Sequence, residues 1–105
     1  MKDGGYGIGD PAPREAHVML EEFLGKNVVI DLHSPYVCLG VLEDSDEHFL
    51  KLRDADLHDL RDTKTSRENY VVAAMSAGVS VNRRQMLLSR REVIAIALAE
   101  DVITK

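Results

Sequence analysis

The stretch that decides the fold is Gln85-Met86-Leu87-Leu88-Ser89-Arg90-Arg91-Glu92-Val93-Ile94-Ala95-Ile96-Ala97-Leu98. Two apolar runs flank the polar turn Arg90-Arg91-Glu92, and short apolar runs bounded by turn residues read as two strands joined by a tight turn. The second run, Val93 to Leu98, has no charge and no proline on either face. A strand of that kind at a sheet edge templates pairing with another chain unless something covers it. The pattern predicts a β-rich chain that associates with copies of itself; the competing arrangement is a monomer whose N-terminal helix covers that edge.

Upstream, the same two-residue period recurs. Val28, Ile30 and Leu32 alternate with Val29, Asp31 and His33, and Ser34-Pro35 ends the run. A second strand is predicted from Tyr36 to about Glu43, with Val37, Leu39 and Val41 opposite Cys38, Gly40 and Leu42. Glu43-Asp44-Ser45-Asp46-Glu47 reads as an acidic turn, and His48 to about Leu57 as a third strand. Gly40 in mid-strand marks a sharp bend or a close backbone approach, as a strongly curved sheet requires.

Two helices complete the pattern. Asp10 as cap, Pro11 in the first turn and Gly25 at the end frame a helix whose stripe is Ala16, Met19, Leu20, Phe23 and Leu24. After a polar loop from Asp59 to Ser66, Thr65 and Glu68 form a capping box. They introduce a short helix, Ser66 to Ala77, that stops at Gly78 and turns Tyr70, Val71, Ala74 and Ala77 inward. Residues 1–10 hold four of the seven glycines and read as a flexible tail. Their Gly5-Tyr6-Gly7-Ile8-Gly9 run follows no strand, so it is not a phosphate loop.

Composition narrows the function. A chain of 105 residues allows one domain, here residues 11–105. With 18 acidic and 13 basic residues its net charge is −5, which argues against a protein that coats duplex DNA. A single cysteine, Cys38, excludes an internal disulfide and every multi-cysteine zinc pattern, and reads as a small buried hydrophobe. No run is apolar enough for a membrane span and no signal-peptide core follows Met1, so the expectation is a cytoplasmic protein. Asp54, Asp56 and His58 would share one strand face at metal-ligand spacing, but the run continues as acidic residues and reads as a solvated strand end. No nucleophile constellation is present, so neither an enzyme, a cofactor nor a metal site is expected. His17 and His33 read as surface residues, and Met19, Met75 and Met86 as core or interface filler.

A helix, three strands, an inserted segment and a short-turn strand pair follow the order of the Sm-like (LSm) family, and the motifs resemble it too. Leu24-Gly25-Lys26-Asn27-Val28-Val29-Ile30-Asp31-Leu32 is similar to the end of the family's helix and its first strand. Gly40-Val41-Leu42 with Asp46 six residues after the glycine resembles its first signature. Leu87-Leu88-Ser89-Arg90 followed by Val93-Ile94-Ala95-Ile96 resembles its second. The resemblance spans about residues 14–103, interrupted by an insertion at about 58–84 with a short helix before the fourth strand.

The resemblance implies a strongly bent, five-stranded open barrel. It implies that strand four of one copy pairs with strand five of the next, giving a cyclic homo-oligomer through Leu87, Leu88, Val93, Ile94, Ile96 and Leu98. It also implies an RNA pocket with His48 stacking on a base, Asp46 opening the loop and Arg90 in the closing turn. Two departures alter that pocket. Leu50 stands where the family's base-reading asparagine is expected, and Arg91 replaces a glycine. The expected function is therefore a ring that contacts single-stranded RNA with altered base specificity, using His48, Arg90 and Arg91. The alternative is a ring that serves only as a scaffold for protein partners.

Overall fold

The computed structural model describes residues 19–104. The expected tail, the Asp10 cap, Pro11, Ala16 and His17 lie outside the described residues. Five strands form one antiparallel sheet: β1 (Asn27–Leu32), β2 (Tyr36–Ser45), β3 (Phe49–Asp59), β4 (Arg83–Ser89) and β5 (Val93–Leu98). Their order across the sheet is β4-β3-β2-β1-β5. The deciding strand β5 thus pairs with β1 along one side, Ile30 opposite Ile96, and forms one border of the sheet. The other border is β4, and no ladder joins the two among the described residues.

Alternation sorts the apolar side chains onto both faces. On one face Val28 and Ile30 of β1, Cys38 and Leu42 of β2 and Leu50 and Leu52 of β3 form the larger core. Leu20 and Phe23, from the helical end at residues 19–21 and the turn after it, pack against that face, whereas Met19 and Leu24 are exposed. Gly25 ends this segment with φ +77°, and its N–H donates to the Leu42 carbonyl at 2.7 Å. On the opposite face Val29, Val37 and Leu39 meet Val71 of helix α1 (Arg67–Ala77) and Ala99. α1 is fastened by Val71, which is fully buried, and by Arg67, which donates to Asp31 of β1 at 2.8 Å.

Gly40 has the role its position predicts. A Cβ there would lie 2.9 Å from Ala55 Cβ and 3.0 Å from Ala55 Cα. It sits opposite a bulge: Leu39 pairs with Asp56 and Val41 with Arg53, so β3 carries one extra residue. Asp54 absorbs it with φ +50°. Bulges bend their strand and raise its twist, and further register shifts occur between Leu42 and Asp44 and between Asp31 and Leu32.

Several boundaries differ from expectation. β2 continues through Ser45 because Asp44 and Ser45 still pair with Lys51 and Leu50. The acidic turn therefore shrinks to residues 46–48, and His48 belongs to the turn rather than to β3. β4 begins at Arg83, two residues early, because Arg83 pairs with Ala55 beyond the bulge. The polar loop contains a 3-10 turn, Leu60–Asp62, capped by Asp59. The cap of α1 is Ser66, not Thr65: its hydroxyl accepts from the Asn69 N–H. Ala77, expected inward, is exposed at the helix end. Among the described residues no helix is long and apolar enough to cross a membrane.

Candidate functional site

Two turns at one end of the sheet meet through Arg90. β3 pairs Phe49 with Ser89 of β4, which brings turn 46–48 beside the 3-10 turn Arg90–Glu92. The Arg90 N–H donates to the His48 carbonyl at 2.9 Å, and Arg90 Nε donates to the Asp46 carbonyl at 2.6 Å. Arg90 Nη2 is buried without a hydrogen-bond partner. Ser89 caps the second turn, its hydroxyl accepting from the Arg91 N–H at 3.3 Å.

Asp46 builds the first turn. Its Oδ1 accepts from the backbone N–H groups of His48 and Phe49, each at 2.8 Å, and its own N–H donates to the Phe49 carbonyl. Those two backbone donors, His48 before Phe49, hold the Asp46 carboxyl below the usual carboxylate range; burial opposes them slightly. Asp46 is thus consumed in shaping the loop. His48 and Glu47 stand out from it, with side chains 76 % and 67 % exposed, and His48 Nε2 lies 3.7 Å from Glu47 Oε1.

A surface depression of about 420 Å³ is lined by Glu47, His48, Phe49, Ser89, Arg90 and Arg91. All four candidate binding residues, Asp46, His48, Arg90 and Arg91, therefore lie together, with Arg90 serving chiefly as a tie between the turns. Leu50 does not join them. It is 2 % exposed in the larger core, so nothing at that position reaches a ligand. Arg83 and Arg84 start β4, at the strand end remote from Arg90 and Arg91, so the four arginines form two groups. Three basic side chains between residues 43 and 62 are paired: Lys51 with Glu43, Arg53 with Asp54 and Arg61 with Asp59.

Of the six association candidates, Leu88, Val93, Ile96 and Leu98 turn to the larger core. Leu87 and Ile94 remain outside, 61 % and 60 % exposed. Cys38 is fully buried; burial, and secondarily the Asp56 carboxylate, push its thiol up to about 12. His33 is exposed, as expected, while Met86 packs in the core and Met19 and Met75 are exposed.

The reading of Asp54, Asp56 and His58 as a solvated strand end holds for Asp54 and fails for Asp56. The bulge removes Asp54 to the surface beside Arg53, whereas Asp56 is 4 % exposed. The Asp56 carboxylate accepts from the Tyr70 hydroxyl of α1 and from Asn82 Nδ2 at 3.0 Å. His58 stacks on Tyr70, ring centroids 4.2 Å apart. Burial pushes Asp56 upward, partly offset by His58. No group of three or more His, Cys, Asp or Glu suited to a metal ion exists among the described residues. The spacing of Leu50, Leu52, Ala55 and Leu57 (two, three, two) was the signal for the bulge. Tyr70 and Asn82 join Asp56 from 14 and 26 residues away, and no local pattern marks them.

Compared with known proteins, the chain matches no family model and no curated protein.

Proposed function

We propose that the chain is a non-enzymatic, ring-forming Sm-like module whose bent, open barrel binds single-stranded RNA in the depression between turn 46–48 and turn 90–92. The observation that carries this reading is the junction itself. Two turns more than forty residues apart, each singled out by its motif, are tied through Arg90 to Asp46 and His48. His48 offers an exposed ring for base stacking, and Arg91 an exposed guanidinium for phosphate. The buried Leu50 supports a base preference unlike the family's, since no amide stands there. Ring formation is supported by the sheet order, which leaves β4 and β5 as borders, and by exposed Leu87 and Ile94 on them.

Light scattering measures the assembly: a monomer at micromolar concentration refutes the ring. A labelled single-stranded oligonucleotide titrated at several salt concentrations measures binding. One phosphate contact per site, through Arg91, gives a slope of roughly −0.7 in log K against log salt. Arg91→Ala then weakens binding and flattens that slope; Arg90→Ala is a poor probe because it also unties the turns. The scaffold reading rests on Val72 and Met75, exposed on α1; absence of binding at low salt favours it.

A further inference from the structure

We infer that the base held at this site is guanine, an inference that rests on the single-strand reading and adds the base to it. The first ground is subtraction. Leu50 is buried in the core, and Asp46 Oδ1 is already occupied by two backbone donors. The Ser89 hydroxyl already accepts from the Arg91 N–H. Among the described residues that line the depression, the carboxylate left to read a base edge is Glu47. Its Oε1 lies 3.7 Å from His48 Nε2. A base stacked on the imidazole would therefore bring its edge within reach of Glu47.

The second ground is the chemistry of the edges. An ionised carboxylate only accepts hydrogen bonds, and its two oxygens accept a parallel pair of donors best. Guanine presents N1–H and the N2 amino group side by side. Uracil presents one N–H between two carbonyl oxygens, which a carboxylate repels. Adenine and cytosine each present one amino group beside an unprotonated ring nitrogen. Guanine alone matches both oxygens, and its O6 and N7 suit a guanidinium such as that of Arg91. Glu47 faces Arg90 and Arg91 across the lining, and Asp46 and Glu92 stand in the same two turns, so the charges nearly offset and edge recognition rather than bulk attraction sets preference there.

Inosine, which is guanosine without the 2-amino group, isolates this contact. Fluorescence anisotropy would compare adenine-rich labelled RNA 12-mers carrying a central guanosine, inosine, adenosine or uridine. The guanosine strand is expected to bind about tenfold more tightly than the inosine strand. Glu47→Gln, at an exposed position, is expected to erase that difference by weakening the guanosine strand about tenfold while leaving the adenosine and uridine strands no weaker than before. His48→Ala is expected to weaken all four. Equal affinity for guanosine and inosine, a preference for uridine, or a guanosine preference that survives Glu47→Gln overturns the guanine assignment and leaves the single-strand reading standing. Failure of every strand to bind at low salt overturns both.

Discussion

Replacing Gly40 with alanine tests the packing that lets β2 cross the bulge in β3. The added methyl would lie 2.9 Å from Ala55 Cβ, 3.0 Å from Ala55 Cα and 3.2 Å from the Arg53 carbonyl oxygen. Carbon pairs rest at about 3.5–4.0 Å, and two of these three neighbours are backbone, so no side-chain rotation relieves them. Overpacking of this kind costs about 2 kcal/mol. Gly40 is not among the positive-φ glycines, so alanine suits its backbone. The stiffer unfolded chain then returns about 0.4–1 kcal/mol. The net loss is about 1–1.5 kcal/mol, or roughly 4–12 °C in Tm for a domain of this size. Urea and thermal unfolding of Gly40→Ala measure it. The same substitution in an Ala55→Gly background should cost about half as much, because the nearest contact is gone. A Gly40→Ala variant as stable as the parent, or an equal penalty in both backgrounds, would refute the steric account.

Other expectations concern the buried polar cluster and the thiol. Tyr70→Phe removes one of the two donors to buried Asp56 and should cost about 1–3 kcal/mol by urea unfolding. Burial raises the folded-state pKa of Asp56 above the ordinary 3.8, so the folded chain holds that proton more tightly than the unfolded chain. Its contribution to stability is therefore greatest at low pH and falls as pH rises through the raised pKa. Asp56→Asn should remove that part of the slope above pH 3.8; an unchanged slope counts against it. Asp59 works in the opposite sense. Its hydrogen bonds with Arg61 lower it to about 2, so its stabilisation is present above 3.8 and fades as pH falls toward 2. Asp59→Ala should flatten stability in that acid range. Cys38, buried and raised to about 12, should react with a disulfide reagent only at the rate of unfolding; fast reaction of the native chain contradicts its burial.

Periodicity made the strands legible because each has a face to bury. Val28 and Ile30 against Val29, and Cys38 and Leu42 against Val37 and Leu39, declare two sides. Gly25, Gly40 and Gly78 were legible for the same local reason: a positive φ or a close neighbour admits no side chain cheaply. The candidate site was legible as two turns, since Asp46 and Ser89 fold their loops through contacts only two or three residues long. What escaped was nonlocal. Asp54 looked like one member of an acidic stripe because the bulge at its position is set by pairing with β2. Asp56 looked solvated because Tyr70 and Asn82 arrive from beyond the chain's local pattern. Leu50 looked like a pocket position by alignment with a motif, whereas its neighbour Leu88 across the ladder draws it into the core.

The segment between β3 and β4 is riveted at several points: Arg67 to Asp31, Tyr70 to Asp56, and Asn82 to Leu57, whose N–H it accepts at 3.0 Å. Between the 3-10 turn and the first rivet run Thr63 to Ser66, where Lys64 and Thr65 are exposed. A foreign peptide spliced between Lys64 and Thr65 interrupts only the long Thr65 N–H contact to the Thr63 hydroxyl at 3.4 Å. That joint is a permissive place to graft an epitope or a fluorophore, on the sheet face opposite the larger core.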